Sequence, residues 1–202
     1  MEIIAVSGPP GSGKSTIGFQ LVKQFGKKIT VKDADDLRNK LILRQYKLDI
    51  NKDNFNYKMF ESDKFQRYID EFIIEHQKKP MVFVGLNVYP WHKKMFYNMH
   101  AKHRFYIDID PLVIVEQRCV RSLTRDMQTF MDRETINDIT QDNKKFLKLL
   151  KKYIENECNI KTTLKEINYF NKEYKKKGYK FLSRDKILSE VSKLINKMIL
   201  KK

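Results

Sequence analysis

A chain of 202 residues carrying 13 Phe and 10 Tyr is long enough for one hydrophobic core without disulfide or metal support, and too rich in aromatics for a disordered polymer. Its longest apolar run, Met81 to Leu86, falls far short of the roughly 18 residues a membrane helix needs, and no charged-then-apolar leader pattern opens it. The formal charge is +16, from 32 Lys and 9 Arg against 25 acids; a Lys excess of this kind reads as a solvated surface or as a nucleic-acid footprint.

The elements alternate short apolar runs with longer amphipathic ones, the pattern of a parallel sheet wrapped by helices. In chain order, strands are predicted at Ile3 to Ser7, Ile29 to Lys32, Met81 to Leu86, Arg104 to Ile109 and Tyr179 to Leu182. Helices are predicted at Lys14 to Phe25, Asp35 to Tyr46, Tyr57 to Gln77, Pro90 to His100, Pro111 to Arg125, Asn143 to Glu155, Thr163 to Lys176 and Ser183 to Leu200. Five strands in βα order predict a doubly wound α/β domain over residues 1–202, with a polar helical insertion over about 124–177 read as a lid. Lys175, Lys176 and Lys177 followed by Gly178 read as a helix end, cations near the carbonyls and glycine just past them. From Thr140 onward there are 18 basic and 7 acidic residues, so any long anionic partner would be expected to run along the last third. Cys119 and Cys158 are too few and too isolated for a disulfide framework or a zinc site, which fits a reducing, cytoplasmic setting. The histidines, His76, His92, His100 and His103, show no metal spacing.

One motif carries chemistry. Gly8-Pro9-Pro10-Gly11-Ser12-Gly13-Lys14-Ser15 matches G-x-x-x-x-G-K-[ST] at every position, and Thr16 follows. An apolar strand runs into it and an apolar-periodic helix leaves it, the context in which such a loop binds phosphate. Glycines let successive backbone N–H groups close around phosphate oxygens, and the helix amino terminus adds its dipole. Lys14 is expected to neutralise the β and γ phosphates of ATP, and Ser15 to offer its hydroxyl to Mg²⁺. The guanine-specifying N-K-x-D is missing from the sequence, which argues against a GTPase. The third strand ends Val84-Gly85-Leu86-Asn87, with Gly85 where motor ATPases need a carboxylate.

Asp33-Ala34-Asp35-Asp36-Leu37-Arg38 follows the second strand. Residues at the carboxyl ends of neighbouring strands converge on one crevice, so these acids are expected to face the phosphate loop as an acceptor site. Asp35 is the candidate base for an acceptor hydroxyl, and Arg38, one turn along, the candidate ligand for an anionic part of the acceptor. The competing reading is that acids in a first turn only cap the helix. Arg118, Arg121 and Arg125 stand at spacings of three and four on one helical face, placed to clamp transferring phosphate charge, with Arg121 the candidate catalytic member. A solvated face would look similar.

With loop, Asp-x-x-Arg segment and arginine-bearing helix in this order, the chain resembles the nucleoside and nucleotide kinase-like P-loop kinases over most of its length. The segment Asp35 to Arg38 looks like the acceptor helix of adenylate kinases, and equally like the Asp-Asp-x-Arg of 5′-hydroxyl polynucleotide kinases. The resemblance implies a P-loop NTPase fold with a helical lid and ATP-dependent phosphoryl transfer to a nucleoside, nucleotide or related small acceptor. The alternatives are a 5′-hydroxyl polynucleotide kinase and a nucleic-acid-associated ATP-binding protein without transfer. Similarity to shikimate-type kinases implies that Asp33 helps Ser15 hold Mg²⁺, and similarity to polynucleotide kinases implies an acceptor contact from Asn87. Gly85 departs from the Asp of the latter family, and Gly85 to Pro90 from the Asp-Gly-x-Pro-Arg stretch of adenylate kinases.

Overall fold

A computed structural model describes residues 2–48, 62–85, 98–121 and 159–201. They group into two compact units, one of Met1–Gly8, Gly13–Asp108 and Lys172–Lys202, the other of Pro9–Ser12 and Ile109–Asn171.

The first unit is built on five parallel strands, β1 (Ile3–Ser7), β2 (Thr30–Asp33), β3 (Met81–Val84), β4 (His103–Ile107) and β5 (Lys180–Leu182). Their order in the sheet is β2-β3-β1-β4-β5. The α/β class and the five parallel strands expected from the sequence are therefore present. Every residue of the central β1 and of β3 is buried, as parallel strands covered on both faces require. This explains why they read as unbroken apolar runs in the sequence. Strand β3 stops two residues before the predicted end because Gly85 takes φ +126°, which leaves the extended region.

The helix ends of this unit show why sequence boundaries drift. Helix α1 (Lys14–Phe25) matches its prediction, burying Ile17, Leu21 and Phe25 at helical spacing. Gly18 lies on the same face, and a Cβ there would touch Val31 and Val84 at 3.4 Å, so the helix lies close on the sheet. Helix α2 (Ala34–Tyr46) starts one residue early because Asp33 serves as its N-cap, accepting from the Asp35 N–H. Helix α3 (Ser62–His76) occupies the described part of the predicted Tyr57 to Gln77. The helix predicted at Pro90 to His100 falls largely outside the described residues, and its described end is corrected. Residues 98–100 are not helical, His100 has φ +49°, and the Asn98 backbone exchanges two hydrogen bonds of 2.8 Å with the Gln66 amide.

In the second unit, α4 (Pro111–Arg121) and most of α5 (Ile160–Lys176) are joined by an ion pair of 2.9 Å between Arg118 and Glu166. Helix α5 begins three residues before its prediction because Asn159 caps it, its Oδ1 accepting from Thr162 N–H at 3.0 Å. Its far end, in the first unit, is a glycine-closed terminus. Tyr179 N–H donates to Tyr174 O at 3.1 Å and Gly178 N–H to Lys175 O at 3.0 Å, with Gly178 at φ +74°, the paired bonds of a Schellman ending. Helix α6 (Arg184–Leu200) then buries Ile187, Val191 and Ile195. Cys119 on α4 is disulfide-bonded, which corrects the expectation of isolated thiols; sequence spacing carries no sign of a pairing made by tertiary structure. Cys158, the helix predicted at Asn143 to Glu155 and most of the predicted insertion lie outside the described residues.

No helix among the described residues is long and apolar enough to cross a membrane. At the amino end of the sheet, Glu2 accepts hydrogen bonds from Lys102 and, at 3.1 Å, from His103. These bonds hold its carboxyl down at about 2.

Candidate functional site

The motif Gly8 to Ser15 connects β1 to α1. Gly11 and Gly13 both have φ +87°, a backbone open to glycine and strained for other residues. Gly13 is the N-cap of α1 and makes no side-chain cap, so the first N–H groups of that helix keep no side-chain partner from it. Lys14 reaches back along the loop, its Nζ donating to Gly8 O at 2.9 Å. The next residue, Ser15, donates its hydroxyl to Asp33 Oδ2 at 3.2 Å.

Register explains why Asp33 is there. Asp33 pairs with Val84 across β2 and β3, and Val84 with Val6 across β3 and β1. The carboxyl ends of the three strands are therefore level. Beyond them, Gly85 N–H donates to Val6 O at 3.1 Å, and Ser7 Oγ donates to Gly85 O at 2.7 Å in a buried bond. A Cβ on Gly85 would lie 2.9 Å from Asp33 Oδ1 and 3.1 Å from Ala34. The Asp33 carboxylate thus fills the space that a side chain at position 85 would need.

Burial pushes the Asp33 carboxyl above its ordinary value, and the neighbouring Asp35 and Asp36 charges push the same way. The hydrogen bonds from Asp35 N–H at 2.9 Å and from Ser15 oppose them. A carboxylate short of compensating charge is a carboxylate suited to a cation. Asp35 lies one turn into the site, half-exposed, with its Oδ1 3.0 Å from Arg38 Nη1, whose side chain is largely buried. Asp36 is exposed. The acid and the arginine expected to meet an acceptor are therefore already paired with each other.

In the second unit, Ser12 is fully buried and its N–H donates to Pro9 O at 3.0 Å. Arg118 Nε donates to Pro10 O at 3.0 Å, and a Cβ on Gly11 would press on the Arg118 side chain at 3.1 Å. Arg118, expected to clamp phosphate charge with Arg121 and Arg125, is tied instead to the loop backbone and to Glu166, with Nη2 buried and without a partner among the described residues. The Arg121 side chain, Arg125 and Asn87 lie outside the described residues. Sequence reasoning passed over Ser7, Glu166 and Arg184. The first two are single polar residues in apolar or amphipathic stretches with no spacing to mark them. Arg184 beside Gly13 carries no signal short of the fold.

No family model matches the sequence, and none of the curated proteins matches it.

Proposed function

We propose that the chain is an ATP-dependent phosphotransferase that moves the γ-phosphoryl group to a nucleoside, nucleotide or related small acceptor. The observation that carries the reading is the Ser15 hydroxyl paired with the Asp33 carboxylate beside Lys14, at the end of a loop with the full phosphate-binding motif.

Two oxygen donors from a hydroxyl and a carboxylate suit Mg²⁺, and Ser15 and Asp33 are the residues that would hold it. That ion supplies charge neutralisation for the phosphates. Lys14 supplies a fixed positive charge for the β and γ oxygens, and the N–H groups heading α1 supply further donors. Asp35 orients the acceptor hydroxyl and takes its proton as the acceptor oxygen bonds to the γ phosphorus and the bond to the ADP oxygen breaks. Arg38 holds Asp35 in place and brings positive charge to the side of the crevice where an anionic acceptor would lie.

The 5′-hydroxyl polynucleotide reading draws on the basic last third. Two of its lysines are otherwise engaged: Lys176 pairs with Glu173 at 2.8 Å, and Lys175 lies over the Phe181 ring at 5.3 Å. This favours the small acceptor. Labelled ATP offered with nucleosides, monophosphates and 5′-hydroxyl oligonucleotides tests the proposal, with transfer expected to one of the first two. Transfer only to oligonucleotides promotes the second reading, and nucleic-acid binding with no transfer to any acceptor overturns both.

A further inference from the structure

Arg184 is the first residue of α6, directly after β5, and its side chain is exposed. It lies against the phosphate loop: a Cβ built on Gly13 would stand 3.0 Å from Arg184 Nη1 and 3.1 Å from its Cδ. Both residues belong to the first unit. Arg184 makes no ion pair or hydrogen bond among the described residues, in contrast to Arg38, Arg104 and Arg118, whose guanidinium groups are all held.

Its position is electrostatically unfavourable by itself. A helix amino terminus carries roughly half a positive charge and favours anions. Arg184 stands in the first turn of one helix and against the N-cap of another, α1, with the Lys14 ammonium on the adjoining residue. Ser183, the N-cap of α6, offers no side-chain hydrogen bond there. Asp185 is the one acid in that first turn, and it does not pair with Arg184. Two cationic side chains and two helix ends converge on a loop whose motif binds phosphate, so a polyanion is what would balance them.

We infer that Arg184 is a nucleotide-binding residue, which grips phosphate oxygens of bound nucleotide on the Gly13 side of the loop. This inference rests on the phosphotransferase reading and adds to it a ligand from the far end of the chain. The guanidinium suits the task because its planar fork meets two phosphate oxygens at once. Gly13 then has a second requirement besides its φ. Any side chain there would push Arg184 off the loop.

Titration calorimetry with ATP, ADP and adenosine on the full chain tests this, using Arg184→Gln, Arg184→Lys and Lys14→Ala beside the parent. Arg184→Gln keeps the stem and loses the charge; it is expected to weaken ATP and ADP about tenfold, the low end for a charge-assisted bond at an exposed site. Adenosine binding is expected to stay at the parent value and the melting temperature to hold or rise, since an unfavourable charge leaves the helix end, and Arg184→Lys to recover most of the ATP affinity. Parent-like ATP binding by Arg184→Gln, with Lys14→Ala defective, overturns the role of Arg184 and leaves the phosphate-loop reading standing. Equal weakening of adenosine and ATP also overturns it, since the residue would then act on the base or through packing. Absence of ATP binding by the parent chain, or parent-like binding by Lys14→Ala, overturns the reading on which it rests.

Discussion

Gly85→Ala is the most informative single change, because it adds one carbon where the structure leaves no room for it. The new Cβ would sit 2.9 Å from Asp33 Oδ1 and 3.1 Å from both the nitrogen and the Cβ of Ala34, at a residue with φ +126°. Two costs combine: overpacking, about 1–3 kcal/mol, and an L-residue in a sparsely populated backbone region, about 1–3 kcal/mol. Because relief of one relieves part of the other, about 2–4 kcal/mol is expected. For a chain of this length that lowers the melting temperature by about 4–16 °C. The atom in the way is a carboxylate oxygen of Asp33, so relaxation moves that group off Ser15. Magnesium-dependent ATP binding is therefore expected to fall more than magnesium-independent binding. Thermal unfolding by circular dichroism and calorimetry with and without Mg²⁺ measure the two effects. A variant that melts within about 1 °C of the parent, well short of the smallest shift expected, and binds Mg·ATP as tightly would refute the contact and the role built on it.

Lys14→Ala removes the charge held at the loop and is expected to lower transfer at least about a hundredfold at unchanged fold, as loss of one transition-state contact does; steady-state rates with a melting curve check it. Asp35→Asn should leave ATP binding intact and lower transfer on the order of a hundredfold or more, whereas Asp36→Asn should act weakly because adjacent helical side chains point about 100° apart; equal defects in the two would displace Asp35 as the base. Asp33→Asn tests the pH dependence. The Asp33 carboxyl is raised in the folded state, so the folded chain holds a proton that the unfolded chain has released, and this group's contribution to stability declines as pH rises from its ordinary value through the raised one. Above that window Asp33→Asn, which still caps a helix, should raise the melting temperature while abolishing magnesium-dependent transfer; a lower melting temperature there would mean that the carboxylate stabilises the fold.

The sheet was legible because parallel strands buried on both faces must be apolar throughout, and Ile3 to Val6 and Met81 to Val84 are. The loop was legible because its chemistry constrains every residue from Gly8 to Ser15. Caps were partly legible: Gly178 announced its helix end and the capping reading of the acids after β2 holds for Asp33, but Asn159, capping through its own side chain, looks in the sequence like an ordinary polar residue. Long-range placements were not legible. Arg118 reads as one of three arginines on a helical face, and only tertiary structure distinguishes it through Pro10 O and Glu166. Arg184, some 170 residues from Gly13 in the chain, meets it through a strand pairing that no local pattern encodes.

Gly85 and Asp33 are best understood as one feature. Read along the sequence, a glycine at the end of β3 is a missing metal ligand, and an acid at the end of β2 is a spare one. The register places them side by side, and the space each would fill is the same. A side chain at position 85 and Asp33 in its present rotamer exclude each other, so glycine at 85 and the carboxylate at 33 answer to a single packing constraint. That constraint also divides the work between the two nearby acids. Asp33 accepts from Asp35 N–H on one oxygen and from Ser15 on the other, which fixes it as a placed charge. Asp35 is half-exposed and braced by Arg38, so it is held in place at the solvent side of the crevice, where the proposed base has to stand.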